Sequence, residues 1–280
     1  MLWGLGSNAP PTIMRRLALN LFRYRSLLAT LTSRELKARY RGSVLGYLWS
    51  LVNPVLLLLV YSFVFTTIFQ PRDPNASPYA LYLAAGIFPW FWLSNSWVEG
   101  TGALLANSGL IRKASFPAEL LPVVSVLANL VHFSFALPVI GVALAIARLQ
   151  GIEVGGWGAL AVPLIVVLQL PMTAGVTLAF AALNAHFKDV KDILGNLLTL
   201  LFFMTPILYT LKTVRPYRLV YPLVAYNPFT PFIRAFQEAL FVGAFPSLGL
   251  WLGMAVSSLA LWTAGAWIFD RLSDTLGEAV

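Results

Sequence analysis

Long runs of apolar residues without a formal charge alternate with short polar segments along this chain, and they predict membrane-spanning helices. A helix rises about 1.5 Å per residue, so a run of about 17–25 residues can cross the ~30 Å hydrocarbon core of a bilayer. Such runs lie at 43–69, 79–98, 120–147, 157–185, 193–211 and 248–269. The pattern therefore predicts an all-α membrane protein, with six transmembrane helices within residues 43–280.

Residues 1–42 form a basic arm before the first predicted span. At 100° per residue, six apolar side chains of the arm share one stripe of a helix, and arginines occupy its other sides. The stripe consists of Ile13, Leu17, Leu21, Tyr24, Leu28 and Leu31. We expect such an amphipathic helix to lie in the membrane interface on the cytosolic side. The sequence Thr32-Ser33-Arg34-Glu35 is typical of a capping box and predicts that a new helix begins there.

The distribution of basic residues predicts the orientation of the spans. Lysine and arginine are enriched in cytosolic loops, and an even number of spans places both termini on the same side. With that side cytosolic, 13 of the 19 basic residues lie inside and the other six lie outside. The sequence therefore predicts a multi-pass protein with its N and C termini in the cytosol.

The segment 206–246 does not fit a simple span or a free loop. It is largely apolar but contains six prolines, and Arg234 and Glu238 lie in its middle. A basic residue at the centre of a bilayer costs about 2.5–3.5 kcal/mol. We therefore expect two short broken, re-entrant helices that dip back from the outer face between spans 5 and 6, with their irregular backbone shielded by protein. A seventh full span is the alternative.

Composition supports the membrane assignment. Hydrophobic residues make up 59% of the 280 residues and charged residues 11%, against about 25% charged residues in soluble domains. The net charge is +8, but the basic residues flank the spans, which indicates contact with lipid headgroups and not with nucleic acid. The chain has no cysteine, which excludes disulfides and cysteine-based metal sites.

Sequence motifs for catalysis are absent. No GxxxxGK[ST] phosphate loop occurs, so we expect no nucleotide site in this chain. His132 and His186 stand alone, without the spacing of metal ligands. The predicted span cores hold no carboxylate, which disfavours an ion-coupled carrier. Asp189 and Asp192 are the candidates for a membrane-embedded transferase, but they alternate with lysines as in a salt-bridged surface turn. We therefore predict neither a catalytic residue nor a metal site.

Four segments of the chain resemble the type-2 ABC exporter permeases that move lipid-linked polysaccharide, such as O-antigen, capsule or wall teichoic acid. They are RELKARYRGSVLGYLWSLVNPVLLLLVYSFVFTTIF at 34–69, NSGLIRKASFPAELLPV at 107–123, HFKDVKDILGNLLTLLFFMTPILY at 186–209 and NPFTPFIRAFQEALF at 227–241. The resemblance implies a non-enzymatic permease subunit of the bacterial inner membrane. A permease for a drug or small lipid is the alternative within this class, and a membrane-embedded glycosyl- or phosphotransferase is the alternative in another class.

The same resemblance implies the partners. A second copy of the chain would complete the pore, and two separate cytosolic ABC ATPase subunits would bind ATP and magnesium, so no cofactor is expected in this chain. The segment between spans 2 and 3 suits docking, because a short amphipathic helix can enter a groove on a partner. A helix that merely links the two spans is the alternative. The candidate docking residues are Leu104, Leu105, Leu110, Ile111, Arg112, Lys113, Phe116 and Pro117.

Aromatic residues make up 14% of the chain, and many lie where an aromatic belt at the membrane surface does not explain them. Aromatic faces stack on the apolar CH faces of sugars, which suits a conduit for a sliding polymer; packing between helices is the alternative. The resemblance implies a lumen stripe from spans 1 and 5. The candidates are Tyr61, Phe65, Phe69, Phe202, Phe203 and Tyr209.

Two arginines stand where span 1 meets the cytosol. Guanidinium groups bind phosphate well, so Arg39 and Arg41 are candidates for contact with the pyrophosphate of a carrier lipid. Anchoring by the positive-inside rule is the simpler explanation for both residues.

Overall fold

The computed structural model describes residues 17, 19–68, 76–111, 116–273 and 276, and all their regular secondary structure is helical. This confirms the predicted all-α class. Short 3-10 helices precede α2 and α6 at Gly46–Leu48 and Trp157–Ala161, and π-helical segments follow α2 and α10 at Val64–Ile68 and Gln237–Val242. The α-helices are α1 (Arg25–Arg39), α2 (Trp49–Phe63), α3 (Tyr79–Ala106), α4 (Ser108–Ile111), α5 (Leu120–Leu149), α6 (Val162–His186), α7 (Val190–Phe203), α8 (Leu211–Val214), α9 (Val220–Ala225), α10 (Thr230–Phe236) and α11 (Leu248–Ser273).

Four helical stretches of the described chain are long and apolar enough to cross a membrane. They are Gly46–Phe63, Leu120–Leu149, Trp157–His186 and Leu248–Ser273, which correspond to predicted spans 1, 3, 4 and 6. The helix at predicted span 2, α3, has 28 residues, but its hydropathy does not reach that of the other four. The helix at predicted span 5, α7, has 14 residues, about 21 Å at 1.5 Å per residue, and ends well before residue 211. The six-span count therefore stays a prediction.

Helix α3 is the centre of the bundle. It packs against α2, α5, α6, α7 and α10, and most of its side chains are buried. Because other helices cover it, α3 does not need the continuous apolar surface of a helix in lipid. Outside this core, α6 and α11 approach each other closely at Gly175 and Gly265. A Cβ atom on Gly265 would lie 1.9 Å from the carbonyl oxygen of Gly175, so a small residue is required there, as at many helix contacts in membranes.

A separate apolar cluster lies at the end of the bundle where α1 meets the last turns of α3, α6 and α11 and the first turn of α5. We call this the terminal end. Leu17, Leu28 and Leu31 of the predicted arm stripe are buried in this cluster. These three residues therefore pack on the protein itself, whereas Leu19 and Phe22, in the described part of the arm, face outward. Ile13 lies outside the described residues.

The predicted capping box at residues 32–35 is wrong, because α1 continues without a break from Arg25 to Arg39. Thr32 faces inward and is buried. Residues 32–35 lie inside a helix, where the backbone N–H groups already bond to the preceding turn. They therefore need no cap, although the sequence has the pattern of a capping box.

The segment 206–246 contains three short helices, α8, α9 and α10, the last extended by the π-helical turn. Two short helices were expected. Helix α10 packs against α3 and α11, and Phe232, Ile233 and Phe236 are almost fully buried. The side-chain amide of Gln237 donates to the carbonyl of Pro206 over 3.0 Å, which fixes the segment to the end of α7. Protein thus shields the part of the segment around α10, as a re-entrant segment requires, whereas residues 215–219, between α8 and α9, are exposed.

Candidate functional site

A cavity of about 820 Å³ lies between α2, α3 and α5. We call it the α2–α3–α5 cavity. Polar side chains surround the part next to α1, and aromatic side chains line the rest. The lining comprises Arg39, Tyr40, Ser50, Asn53, Pro54, Leu56, Leu57, Val60, Tyr61, Phe88, Phe91, Trp92, Asn95, Glu99, Asn129, His132, Phe133 and Ala136. A pocket with apolar walls and a few polar groups is typical of sites that bind a small molecule or a segment of a larger ligand.

An ion pair connects α1 to α3 at the edge of this cavity. The guanidinium of Arg39 donates to the Glu99 carboxylate and to the side-chain oxygen of Asn129, the latter over 3.3 Å. Its Nε lies 3.6 Å from a carboxylate oxygen of Glu35, one turn earlier on α1. The Asn129 amide also donates to Glu99. Three helices therefore meet in one charged network, in which Arg39 is neutralised by two carboxylates.

A second polar cluster joins the start of α2 to α5. The Tyr40 and Ser50 hydroxyl groups lie 2.6 Å apart, and both reach Nδ1 of His132, at 3.2 Å and 3.0 Å. The Tyr40 ring also packs against the rings of His132 and Tyr47. These contacts fix the turn between α1 and α2. His132 is thus a hydrogen-bonded residue of the cavity wall, and its isolation in the sequence gave no indication of this.

Helix α3 turns a polar face into the cavity. Between Tyr79 and Leu104 its exposed residues are Asn95, Val98 and Glu99. Asn95 and Glu99 are one turn apart and both line the cavity. Exposed polar side chains within a transmembrane bundle normally face water or a polar ligand, because lipid contact is costly. This face indicates that the cavity is wet.

Two predicted conduit residues, Tyr61 and Phe65, belong to a row of aromatic side chains that leads away from the cavity. Tyr61 lines the cavity, and its ring centroid lies 6.2 Å from that of Phe65, which lies 4.5 Å from that of Tyr79. Tyr79 is followed by Tyr82, and the hydroxyls of these two tyrosines donate to the carbonyls of residues 208 and 209, over 2.5 Å and 3.0 Å. We call Tyr61, Phe65, Tyr79 and Tyr82 the aromatic row.

The conduit residues predicted on span 5, Phe202, Phe203 and Tyr209, lie apart from Tyr61 and Phe65 of span 1. Phe202 packs edge-on against Trp90 and against Phe203, whose side chain is exposed. The Tyr209 hydroxyl donates to the carbonyl of Phe203 over 2.6 Å. Tyr79 and Tyr82, which were not predicted as conduit residues, connect the span 1 candidates to the chain around Tyr209. Phe69 lies outside the described residues.

The predicted docking residues divide into buried and exposed positions. Leu104 is 0% exposed within the terminal cluster, so it is not available to a partner. Leu105 is 41% exposed in the last turn of α3. The others that are described, Leu110, Ile111, Phe116 and Pro117, are partly exposed. Arg112 and Lys113 lie outside the described residues. Helix α3 extends eight residues beyond predicted span 2, which is why its inward face reaches Leu104.

Arg39 and Arg41 do not form a pair. Arg39 lines the α2–α3–α5 cavity, whereas Arg41 lines a groove along α1 together with Arg34 and Lys37. This groove has a volume of about 890 Å³. Phosphate recognition favours several cationic donors that no carboxylate neutralises. The α1 groove fits that requirement, and the neutralised Arg39 does not.

Sequence reasoning missed most of the cavity. Glu99 was placed just beyond span 2, and the polar residues Asn53, Asn95 and Asn129 were not considered. A signal was present, because Asn95 and Glu99 are four residues apart and Asn129 and His132 are three apart, so each pair shares one helix face. Within the described residues, no group of three or more histidine, aspartate or glutamate side chains is placed to hold a metal ion.

Comparison with known proteins identifies the family. The family model of the ABC-2 type transporter matches residues 26–241. The O-antigen export system permease protein RfbA of Myxococcus xanthus is 35% identical over 95% of this chain and 100% of its own length. The protein of the same name from Klebsiella pneumoniae is 31% identical over 90% of this chain and 94% of its own. The polysialic acid transport protein KpsM of Escherichia coli is 24% identical over 82% of this chain and 85% of its own. The chain belongs to the ABC-2 type transporter family.

Proposed function

We propose that this chain is the transmembrane subunit of an ATP-driven exporter that moves lipid-linked polysaccharide from the cytoplasm across the bacterial inner membrane. The observation that carries the proposal is its similarity, over 95% of its length, to a permease named for O-antigen export. The α2–α3–α5 cavity supports it, because polar and aromatic side chains together suit a carbohydrate.

ATP binding and hydrolysis belong to partner subunits in this proposal. The sequence contains no phosphate loop, so two ABC ATPase subunits would supply the nucleotide sites and their magnesium. A second copy of the chain would complete the path for the polymer. The carrier pyrophosphate would contact Arg41, with Arg34 and Lys37 beside it in the α1 groove.

Deletion of the gene tests the proposal in cells. Surface polysaccharide should disappear and lipid-linked polysaccharide should accumulate inside, and a plasmid copy of the gene should reverse both effects. Normal surface polysaccharide after deletion, in a strain without a second permease, would contradict the proposed function.

The proposed orientation places both termini, and the terminal end of the bundle, in the cytosol. Single cysteines can test this because the chain has none. We expect Ser247→Cys to react with a membrane-impermeant maleimide in intact cells. Ser108→Cys and Thr275→Cys should react only after permeabilisation. External labelling of Ser108→Cys would reverse the orientation, and external labelling of Thr275→Cys alone would indicate a seventh span within 206–246.

The proposed docking face for the ATPase is centred on Leu105 at the end of α3. Leu105→Asp should leave the permease inserted but reduce its co-purification with the ATPase at least tenfold, since a charge in an apolar groove costs several kcal/mol. Leu19→Asp is the matched control. Leu19 is also an exposed leucine at the terminal end, 56% exposed against 41% for Leu105, and we expect this variant to co-purify with the ATPase normally. Equal recovery of the ATPase with both variants would exclude Leu105 from the interface.

A further inference from the structure

We infer that the α2–α3–α5 cavity binds an uncharged carbohydrate segment of the exported polymer and not the pyrophosphate of its carrier lipid. This inference rests on the proposed function and deepens it. It assigns substrate contact to polar residues of α2 and α3, namely Asn53, Asn95 and Glu99, which line the cavity and lie outside the predicted conduit.

The charge of the cavity disfavours a pyrophosphate. Apart from His132, Arg39 is the basic side chain of the lining. Its guanidinium already contacts Glu99 and approaches Glu35. A pyrophosphate would have to displace at least one of these carboxylates and would then lie beside it. Like charges in a partly desolvated site repel strongly, whereas a neutral ligand leaves the ion pair intact.

The hydrogen-bonding groups of the cavity suit hydroxyl groups. Asn53 and Asn95 line the cavity with exposed side chains, and within the described part of the chain their amides have no hydrogen-bond partner. Each amide offers two donor hydrogens and an acceptor oxygen, and each sugar hydroxyl can donate and accept. The Glu99 carboxylate adds acceptor capacity, since a carboxylate oxygen accepts more than one hydrogen bond. Alkyl chains of a lipid would leave all of these groups unpaired.

The aromatic wall supplies the second element of carbohydrate recognition. Phe88, Trp92 and Phe133 are nearly fully buried and form the base of the wall, and Trp92 and Phe133 stack with a centroid distance of 5.6 Å. Phe91 and Tyr61 are only partly buried, so their rings remain accessible to a ligand. The faces of such rings pack on the apolar faces of pyranose rings. Neighbouring hydrogen-bonding side chains then fix the orientation of the sugar.

The size and position of the cavity fit a short segment of a polymer. Its volume of about 820 Å³ lies within the ~300–1,000 Å³ of sites that enclose a small molecule. Tyr61 belongs both to the cavity and to the aromatic row. A carbohydrate segment held in the cavity would therefore continue directly along the row.

Binding measurements on the purified permease–ATPase complex test the inference. Two probes separate the ligand sources: the exported polysaccharide freed from its carrier by mild acid, and polyprenyl pyrophosphate without sugar. The test variant is Asn53→Leu/Asn95→Leu, which removes both amides at nearly constant volume. The control is Gln150→Leu, an exposed side-chain amide at the far end of α5, outside the cavity.

We expect the double variant to bind the freed polysaccharide at least tenfold more weakly, with unchanged affinity for polyprenyl pyrophosphate, and the control to bind both probes normally. Unchanged polysaccharide affinity, or a loss confined to polyprenyl pyrophosphate, would overturn the inference. The thermal stability of the double variant should be measured alongside, because unfolding would also weaken polysaccharide binding. If the double variant is unfolded, Asn95→Gln is tested in its place. This variant retains the amide and must bind the polysaccharide normally for the inference to stand. If the binding experiment contradicts the inference, the proposed export function is still tested separately by deletion of the gene.

Discussion

Replacement of Tyr61, Phe65 and Tyr209 by alanine in one variant should abolish most polysaccharide export while the assembled complex continues to hydrolyse ATP. All three side chains are partly exposed, so the variant removes stacking surface from a wet path and does not open a sealed cavity. The loss of stability at each site should therefore be smaller than the ~3–5 kcal/mol of a buried Phe→Ala change. ATP hydrolysis should persist because the nucleotide sites lie on the partner.

The matched control replaces Trp157 and Trp267, which are 80% and 49% exposed and lie outside the aromatic row and the cavity. Although it replaces two residues and not three, this control removes at least as much solvent-exposed aromatic surface and should export normally. Surface polysaccharide, thermal stability and ATPase rate should be measured on the same preparations. Normal export by the triple variant, or unfolding as severe as that of a core replacement, would assign these residues to helix packing.

Disruption of the Arg39–Glu99 pair should have the second large effect. Arg39→Leu and Glu99→Leu each leave a charge without its main partner, and each should reduce export at least tenfold because α1 is no longer held against α3 and α5. The Arg39 and Glu99 side chains are 21% and 37% exposed, so screening by solvent lowers the contribution of the pair to the free energy of unfolding. We expect a coupling free energy of about 1–2 kcal/mol in a double-mutant cycle.

The Arg234–Glu238 pair provides a matched control for this cycle. Its side chains are similarly exposed, at 37% and 27%, but the two residues are one turn apart on the same helical segment. A local pair of this kind typically contributes about 0.3–0.5 kcal/mol. Thermal stability of the four proteins in each cycle gives both couplings. An Arg39–Glu99 coupling no larger than that of the control would show that the network does not hold α1 in place.

The length and hydrophobicity of the runs predicted the helical class correctly, and four of the predicted spans coincide with helices that are long and apolar enough to cross a membrane. Both are local properties of the sequence. Predictions about which side chains face outward were less successful. The docking prediction placed Leu104 against a partner and the arm prediction placed its stripe against lipid, yet Leu104 and the stripe residues Leu17, Leu28 and Leu31 are buried in the terminal cluster. An apolar stripe has the same periodicity whether protein or lipid covers it, so the sequence alone could not decide.

The candidate site could be predicted only in part, because its residues are far apart in the sequence. Tyr61 could be selected from its helical spacing with Phe65, but the cavity depends on residues that are distant in sequence, such as Arg39, Glu99 and Asn129. Only the packing of α1, α3 and α5 brings them together. Arg39 and Arg41 illustrate the converse, because they are two residues apart and yet line different cavities. Arg39 is the last residue of α1, whereas Arg41 lies in the turn that follows the helix, so helical spacing does not relate their directions.

Reconstitution of transport in vesicles tests whether this chain is the ATP-driven export permease proposed above. The purified permease, its ATPase partner and lipid-linked polysaccharide are incorporated into vesicles, and the polysaccharide that becomes protected from an added glycosidase is measured over time. We expect protection that requires ATP, magnesium and the ATPase subunit, and none with the permease alone. Protection of polysaccharide without the ATPase, or a complex that hydrolyses ATP and binds the substrate but never moves it, would show that this chain is not an ATP-driven polysaccharide permease.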